Sequence, residues 1–309
     1  MGRKKLRGQS LMKILLFGKG GQVGWELQRS LAPLGEVVAL GADSRNLCGD
    51  FTNPDGLAQT IRAVAPDVIV NAAAHTAVDR AESEPERVRM INALAPARLA
   101  EEARLCNAWL IHYSTDYVFD GSGKLPWRET DATAPLSVYG ATKLEGEQQI
   151  LQSGCRHLIF RTSWVYGARG GNFAKTMLKL AKERDSLNII DDQIGAPTGA
   201  DLLADISAHA IRTALLRPEV SGLYHMVAKG EISWYGYANF VLEFARNAGI
   251  PLKVAAINKV SSNAFPSAAK RPLNSRLNTT KLQNTFDLYL PHWQTGVERM
   301  LTEILDRQP

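Results

Sequence analysis

Tyr139 and Lys143 stand four residues apart in the stretch VYGATKLEGE. On a helix that spacing puts both side chains on one face, a turn apart. A free phenol ionises near pH ~10, and a neighbouring ammonium favours the phenolate, bringing the group closer to neutral pH. A tyrosine held this way can give a proton to a carbonyl oxygen as hydride reaches the carbon, which is general acid catalysis. The pair alone is common in helices that do no chemistry. It gains force from Thr115, upstream at the end of the apolar run AWLIHYS (108–114), whose hydroxyl can bind the same oxygen.

A second pattern is GKGGQVG, with Gly18, Gly21 and Gly24 in a GxxGxxG array around Lys19, Gln22 and Val23. It directly follows the short apolar run KILLFG (13–18) and opens a segment in which Val23, Leu27 and Leu31 share helical spacing. Residues without bulk let a backbone approach a pyrophosphate, and the helix N-terminus stabilises its charge. In such folds an acid at the end of the second strand commonly holds the adenosine ribose. Here EVVAL (36–40) is followed by Gly41, with Asp43 two residues late and Lys19 and Arg45 near enough in sequence to meet a 2′-phosphate. That substitution favours NADPH over NADH, whereas a shifted loop bringing Asp43 to the ribose favours NADH. Asp50, with Phe51 beside it, is expected at the adenine under either outcome.

These residues need a scaffold, and the hydropathy pattern supplies one. Strands are expected at 13–18, 36–40, 67–74, 108–114, 157–163 and 222–227, and helices at 53–65, 85–105, 137–152, 172–184, 200–216, 234–248 and 291–306. The strands are apolar runs, not alternating ones, and they alternate with helices, which indicates a parallel sheet covered on both faces. The expected architecture is a Rossmann-type, doubly wound α/β domain over 12–165 that takes back a late segment near 200–227. A smaller, interleaved substrate domain fills most of 166–309.

The net charge of +5 includes Arg3, Lys4, Lys5 and Arg7, so the high pI belongs mainly to a basic tail over residues 1–11, expected to be disordered. The near-neutral body argues against nucleic-acid binding, and no apolar run approaches the ~20 residues of a membrane span. The tail lacks the apolar core of a secretory signal. Cys48, Cys106 and Cys155 form no close-spaced pair, which fits free thiols in a reducing cytoplasm.

Taken together, the glycine array, NAAAHTAVD (71–79), Thr115, Tyr139 and Lys143 resemble the extended short-chain dehydrogenase/reductase family. STDYVFDG (114–121), RTSWVYG (161–167), DDQIGAPT (191–198) and RPLNSRL (271–277) look like its dTDP-4-dehydrorhamnose reductase branch. The resemblance implies NAD(P)H-dependent reduction of the C4 keto group of a small-molecule dTDP-sugar, for bacterial surface polysaccharide. Members that dehydrate nucleotide sugars carry an Asp-Glu pair after the threonine; here Asp116 is followed by Tyr117, which leaves a carboxylate without its partner and favours simple reduction. Tyr117 reads equally as a packed aromatic or a substrate contact. Ala74, His75 and Thr76 are expected beside the cofactor, His75 as a structural hydrogen-bonder and not a catalyst. Trp164 either packs on the sugar or fills core, and Lys175 and Arg271 either bind the diphosphate or are surface charges. Family resemblance also suggests a homodimer around Mg²⁺ held by Glu26, Asp201 and Glu303, although glutamate is expected where Asp201 stands. Two other readings stay open. One is an epimerase or dehydratase that recycles bound NAD. The other is a non-catalytic regulatory subunit of the methionine adenosyltransferase type, against which the intact Thr115, Tyr139 and Lys143 set argues.

Overall fold

The structure, a computed structural model, describes residues 11–306 except Pro266. Of the basic tail, only Leu11 falls within the described residues. Six strands form the main sheet: β1 (Lys13–Phe17), β2 (Glu36–Leu40), β3 (Val68–Asn71), β4 (Trp109–Thr115), β5 (Arg156–Thr162) and β6 (Gly222–His225). All pair in parallel, in the order β6-β5-β4-β3-β1-β2. The late strand therefore rejoins the sheet beside β5. Alternate residues of β1 serve opposite faces. Ile14 and Leu16 join one core with Leu27, Leu203 and Ile211, while Leu15 and Phe17 join another with Leu57, Ile61 and Leu99. The first core is closed by α1 (Gln22–Leu31), and the second by α2 (Pro54–Val64) and α3 (Ala95–Leu105). Burial on both faces explains why these strands are continuous apolar runs.

The order of strands reverses between β1 and β3: β2 lies to one side of β1, and β3 to β6 run away on the other. Loops leaving the C-terminal ends of β1 and β3 diverge there and open a crevice. Helix α4 (Val138–Gln152) and helix α5 (Ala200–Leu216) flank the sheet on its two faces. A separate core joins Met177, Val241, Leu242, Trp293, Val297 and Leu301 from the helices Phe173–Glu183, Trp234–Asn247 and Trp293–Leu305. Its strands Ser186–Ile190 and Ala256–Val260 pair in parallel; both are partly exposed and lack the apolar run that marks the strands of the main sheet, and the helix Thr280–Phe286 spans only 7 residues.

One expected element is divided. The helix expected over 85–105 breaks into Pro85–Arg89, a π turn at Met90–Leu94, and α3. Pro96 is the cause: it has no N–H for the Asn92 carbonyl, and its ring crowds that oxygen. The ladder slips by one residue, and Ala95 N–H bonds Met90 O instead. Asn92 is left buried with its carbonyl displaced, and Gly146 of α4 packs so close that a Cβ there would lie 2.3 Å from that oxygen.

The contact has no room for a side chain. Gly146→Val is expected to cost about 2–3 kcal/mol of stability and to lower the midpoint of denaturant unfolding. An unchanged midpoint would show that α4 can move off the π turn freely.

Candidate active site

The glycine array forms the turn between β1 and α1. Gly18 has φ +85°, and its N–H and that of Lys19 bond Leu40 O at 2.9 and 3.1 Å, tying the loop to the end of β2. Gly21 N–H bonds Gly18 O at 3.0 Å, and a Cβ at Gly24 would lie only 2.0 Å from that same oxygen. Only glycine fits at positions 18 and 24, so the loop stays flat and presents the first turn of α1 to the crevice.

Two cavities meet over this loop. The larger, about 720 Å³, is lined by Gly18, Lys19, Gly41, Asp43, Asp50 and Phe51. The second, about 390 Å³, is lined by Gln22, Val23, Thr76, Thr115, Asp116, Tyr139, Lys143 and Trp164. Gly21, Ala72 and Ala74 border both, so the track is continuous. Buried in the wall of the second cavity, Ser114 Oγ, Thr162 Oγ1, Ser163 Oγ and Asp116 Oδ2 have no hydrogen-bond partner. Protein interiors satisfy nearly all such atoms, so four of them on residues that line one cavity make its wall unusually rich in unpaired polar groups. A flat glycine cradle, a helix N-terminus and a long track ending in orphaned hydroxyls suit a dinucleotide, with its nicotinamide end at Tyr139.

Helix α4 sets the reacting pair. Ser137 caps it, its hydroxyl accepting from Gly140 N–H at 3.2 Å, and Gly140 lets the helix press against Tyr117 O, 2.2 Å from where a Cβ would be. Tyr139 and Lys143 then face the cavity with Thr115 from the end of β4. Burial pushes the Tyr139 phenol up to about 12, and the Thr115 hydroxyl works in the opposite direction. Burial brings Lys143 down to about 8, against the pull of Glu147. Burial also lifts Asp116 to about 7, opposed by Ser275 and Thr115. The Thr115 hydroxyl donates to Asp116 Oδ1 at 3.1 Å and accepts from Tyr117 N–H at 3.2 Å. Tyr117 stands edge-on to Tyr139, ring centres 5.6 Å apart, and burial raises its phenol. It packs against the Tyr139 ring and places an uncharged phenol, not a carboxylate, beside Asp116.

Other sequence-nominated residues divide. Trp164 lines the reacting cavity, stacked on Trp234 at 3.5 Å, with a left-handed φ of +48° unusual for a bulky residue. Arg271 reaches the Tyr117 side of the site but is held by both carboxylate oxygens of Asp79, at 3.1 and 2.6 Å. Lys175 does not join them: its ammonium bonds Ala168 O and Gly170 O and braces the loop over α1. His75 lines neither cavity; its backbone N–H and carbonyl are both bonded by the Asn92 side chain, at 2.9 and 3.1 Å. Arg45 does not line the larger cavity, while Arg87 and Arg169 do, the latter 4.0 Å over the Trp25 ring. Glu26 pairs with Arg29 at 3.5 Å and Asp201 with Arg299 at 3.3 Å. Among the described residues no three His, Cys, Asp or Glu side chains converge as a metal site, with Glu26, Asp201 and Glu303 no exception. No helix among the described residues is long and apolar enough to cross a membrane, and all three cysteines are unpaired.

Sequence reading passed over Asn71, Asn92 and His112. Asn92 could have been found from Pro96, four residues on, which frees its carbonyl. Asn71 and His112 meet only across two strands and leave no local signal.

Comparison with known proteins agrees with this geometry. Residues 12–305 match the family model described as RmlD substrate binding domain. The chain is 62% identical over 293 residues to the dTDP-4-dehydrorhamnose reductase of Escherichia coli K12, covering 95% of this chain and 98% of that protein. Among solved structures, a dTDP-4-dehydrorhamnose reductase of Bacillus anthracis in complex with NADP superposes with a TM-score of 0.85 at 33% identity, over 96% of this chain and all of that one. One from Clostridium acetobutylicum gives 0.85 at 35% identity, over 95% of this chain and 100% of that chain. A glycine cradle leading to Thr115, Tyr139 and Lys143, matched over nearly the whole length by these reductases, shows that the chain belongs to the RmlD family.

Proposed function

We infer that the chain is an NAD(P)H-dependent oxidoreductase that reduces dTDP-4-dehydro-L-rhamnose to dTDP-L-rhamnose. The observation that carries this is the meeting of Thr115, Tyr139 and Lys143 with four orphaned polar atoms at the end of a dinucleotide-shaped track. Gly18 and Gly21 with Gln22 and Val23 would hold the pyrophosphate, Gly24 would act from behind by letting α1 close on Gly18, and Ala74 and Thr76 would hold the nicotinamide half. The bound nicotinamide supplies the hydride for C4. Tyr139 gives its proton to the C4 oxygen, and the Thr115 hydroxyl steadies that oxygen as charge develops. Near neutral pH, Asp116 can take the proton position toward Thr115 and free the threonine hydroxyl for substrate. Trp164 and Tyr117 offer apolar faces for the 6-deoxy sugar, and Arg271 lies where it can exchange Asp79 for a phosphate oxygen. In this reading residues 12–165 with β6 bind the cofactor, and most of 166–309 binds the sugar nucleotide. The work belongs to the cytoplasm, with no nucleic-acid or membrane partner.

The adenosine end supports a preference for NADPH. A side chain at Gly41 would meet the Asp43 carboxylate at 2.7 Å and the Lys19 stem at 3.5 Å. Three cations, Lys19, Arg87 and Arg169, line that cavity together with Asp43 and Asp50. Pairing of two chains through Mg²⁺ would need Glu26, Asp201 and Glu303 from both copies, since one chain does not gather them.

Three measurements test this reading. Tyr139→Phe is expected to lower kcat by about 10²–10⁴-fold while cofactor binding stays within a factor of about two. Near-normal turnover would remove the mechanism, and turnover with no stoichiometric loss of reduced nicotinamide would point to an NAD-recycling enzyme. Wild-type kcat/KM is expected to be higher with NADPH, and Gly41→Asp to move the ratio toward NADH by about tenfold, the worth of one charge-assisted hydrogen bond. A clear wild-type preference for NADH would overturn the argument from Gly41. For the Mg²⁺-linked dimer, light scattering is expected to show a mass that falls on adding a chelator; the same mass with and without it would exclude the linkage.

A further inference from the structure

Behind Lys143 lies a buried chain of polar groups that the mechanism above does not use. Lys143 Nζ donates to Tyr113 O at 2.6 Å and stands 3.2 Å from His112 Nε2. His112 is fully buried in β4, and its other nitrogen, Nδ1, is 2.9 Å from Asn71 Nδ2, directly across the ladder in β3. The Asn71 amide has only one satisfactory orientation, because its Oδ1 accepts from Ala73 N–H at 3.0 Å. Turning it over would set two donors against each other. Asn71 therefore offers an N–H to His112 Nδ1, which must supply a lone pair, and a neutral imidazole with bare Nδ1 carries its proton on Nε2. That N–H points at Lys143. An ammonium has three donors and no acceptor; an amine has a lone pair. Every contact is satisfied in one pattern only, with each group donating to the next from Asn71 through His112 and Lys143 to Tyr113 O.

We propose that His112 and Asn71 are positioning residues that hold an N–H donor against Lys143 Nζ and so lower the pH at which Lys143 releases its proton. The proposal rests on Lys143 acting with Tyr139. Tyr139 loses a proton to product in each cycle, and a lysine that releases its own proton near neutral pH can return one. Burial and the adjacent Lys143 keep His112 well below its usual range, so the ring stays neutral. Tyr139 and Asp116 line the same cavity as Lys143, and Glu147 lies one turn along α4. Glu147 pulls the other way, but Arg161 of β5 occupies both its oxygens at 2.7–3.2 Å.

In the free enzyme, kcat/KM is expected to fall at alkaline pH as Lys143 loses its proton. His112→Phe removes the opposing donor, which favours the ammonium, so the fall moves up by about one pH unit. Asn71→Asp keeps the ring but accepts from Nδ1–H, turning the Nε2 lone pair toward Lys143, and moves the fall the same way. His112→Gln, whose amide can replace the Nε2–H donor, restores the parent profile. Independently of activity, ¹⁵N spectra of the ligand-free protein are expected to show His112 with bare Nδ1 and protonated Nε2 at neutral pH. A proton on Nδ1, a charged ring, or parent profiles from both His112→Phe and Asn71→Asp would overturn the proposal. If those variants fail to fold, the parent spectrum decides. Should Tyr139→Phe keep its turnover while the spectrum is as stated, the catalytic reading fails and the hydrogen-bond chain stands.

Discussion

The reacting end of the cavity hangs on the close approach of α4 to two backbone carbonyls. Gly140 sits against Tyr117 O and Gly146 against Asn92 O, and at neither place is there space for even a methyl group. These contacts fix the height of α4 above the sheet and its rotation, and with them the aim of Tyr139 and Lys143. Both carbonyls belong to irregular backbone: the first to the short helical turn after β4, the second to the π turn that Pro96 forces. The catalytic helix is thus seated on two local departures from regular structure.

The second organising force is desolvation. Lys143, Asp116 and Tyr139 are all shifted by burial, and in each case toward the uncharged form. Burial brings Lys143 and Asp116 toward neutral pH, where either can exist in both states, and moves Tyr139 the other way, so that its phenol keeps its proton. The Arg161–Glu147 pair behaves differently. It is buried too, but each charge is matched by the other through three hydrogen bonds, and Arg161 lies 5.0 Å over the Phe119 ring. Breaking such a pair by removing one partner would leave an uncompensated buried charge. The pair serves as a strut between β5 and α4.

In the proposed reaction Tyr117 stands where elimination would call for a second carboxylate. Elimination requires one group to protonate a leaving hydroxyl and another to remove a carbon-bound proton. Asp116 alone titrates near neutrality in this position, and its neighbour is a buried phenol raised well above its usual range. Packed edge-on to Tyr139, Tyr117 contributes shape and a dry surface and no base.

By itself the sequence determined the dinucleotide fold, since apolar runs alternating with helical spacing leave a parallel sheet as the way to bury both faces. It also determined the cradle and the reacting pair, because Gly18, Gly21 and Gly24 and the Tyr139–Lys143 spacing act over a few residues, where local geometry follows from residue type. Tertiary structure decided the rest. Lys175 and Arg271 looked alike as free cations, yet one braces a loop through two carbonyls and the other grips Asp79 beside Tyr117. His112 read as one more residue of an apolar strand. Its meaning depends on Asn71 and Lys143, far away along the chain, and on which way an amide is turned by a backbone N–H. Hydrogen-bond direction across strands is a property of three-dimensional neighbours, so no local pattern in the sequence could carry it.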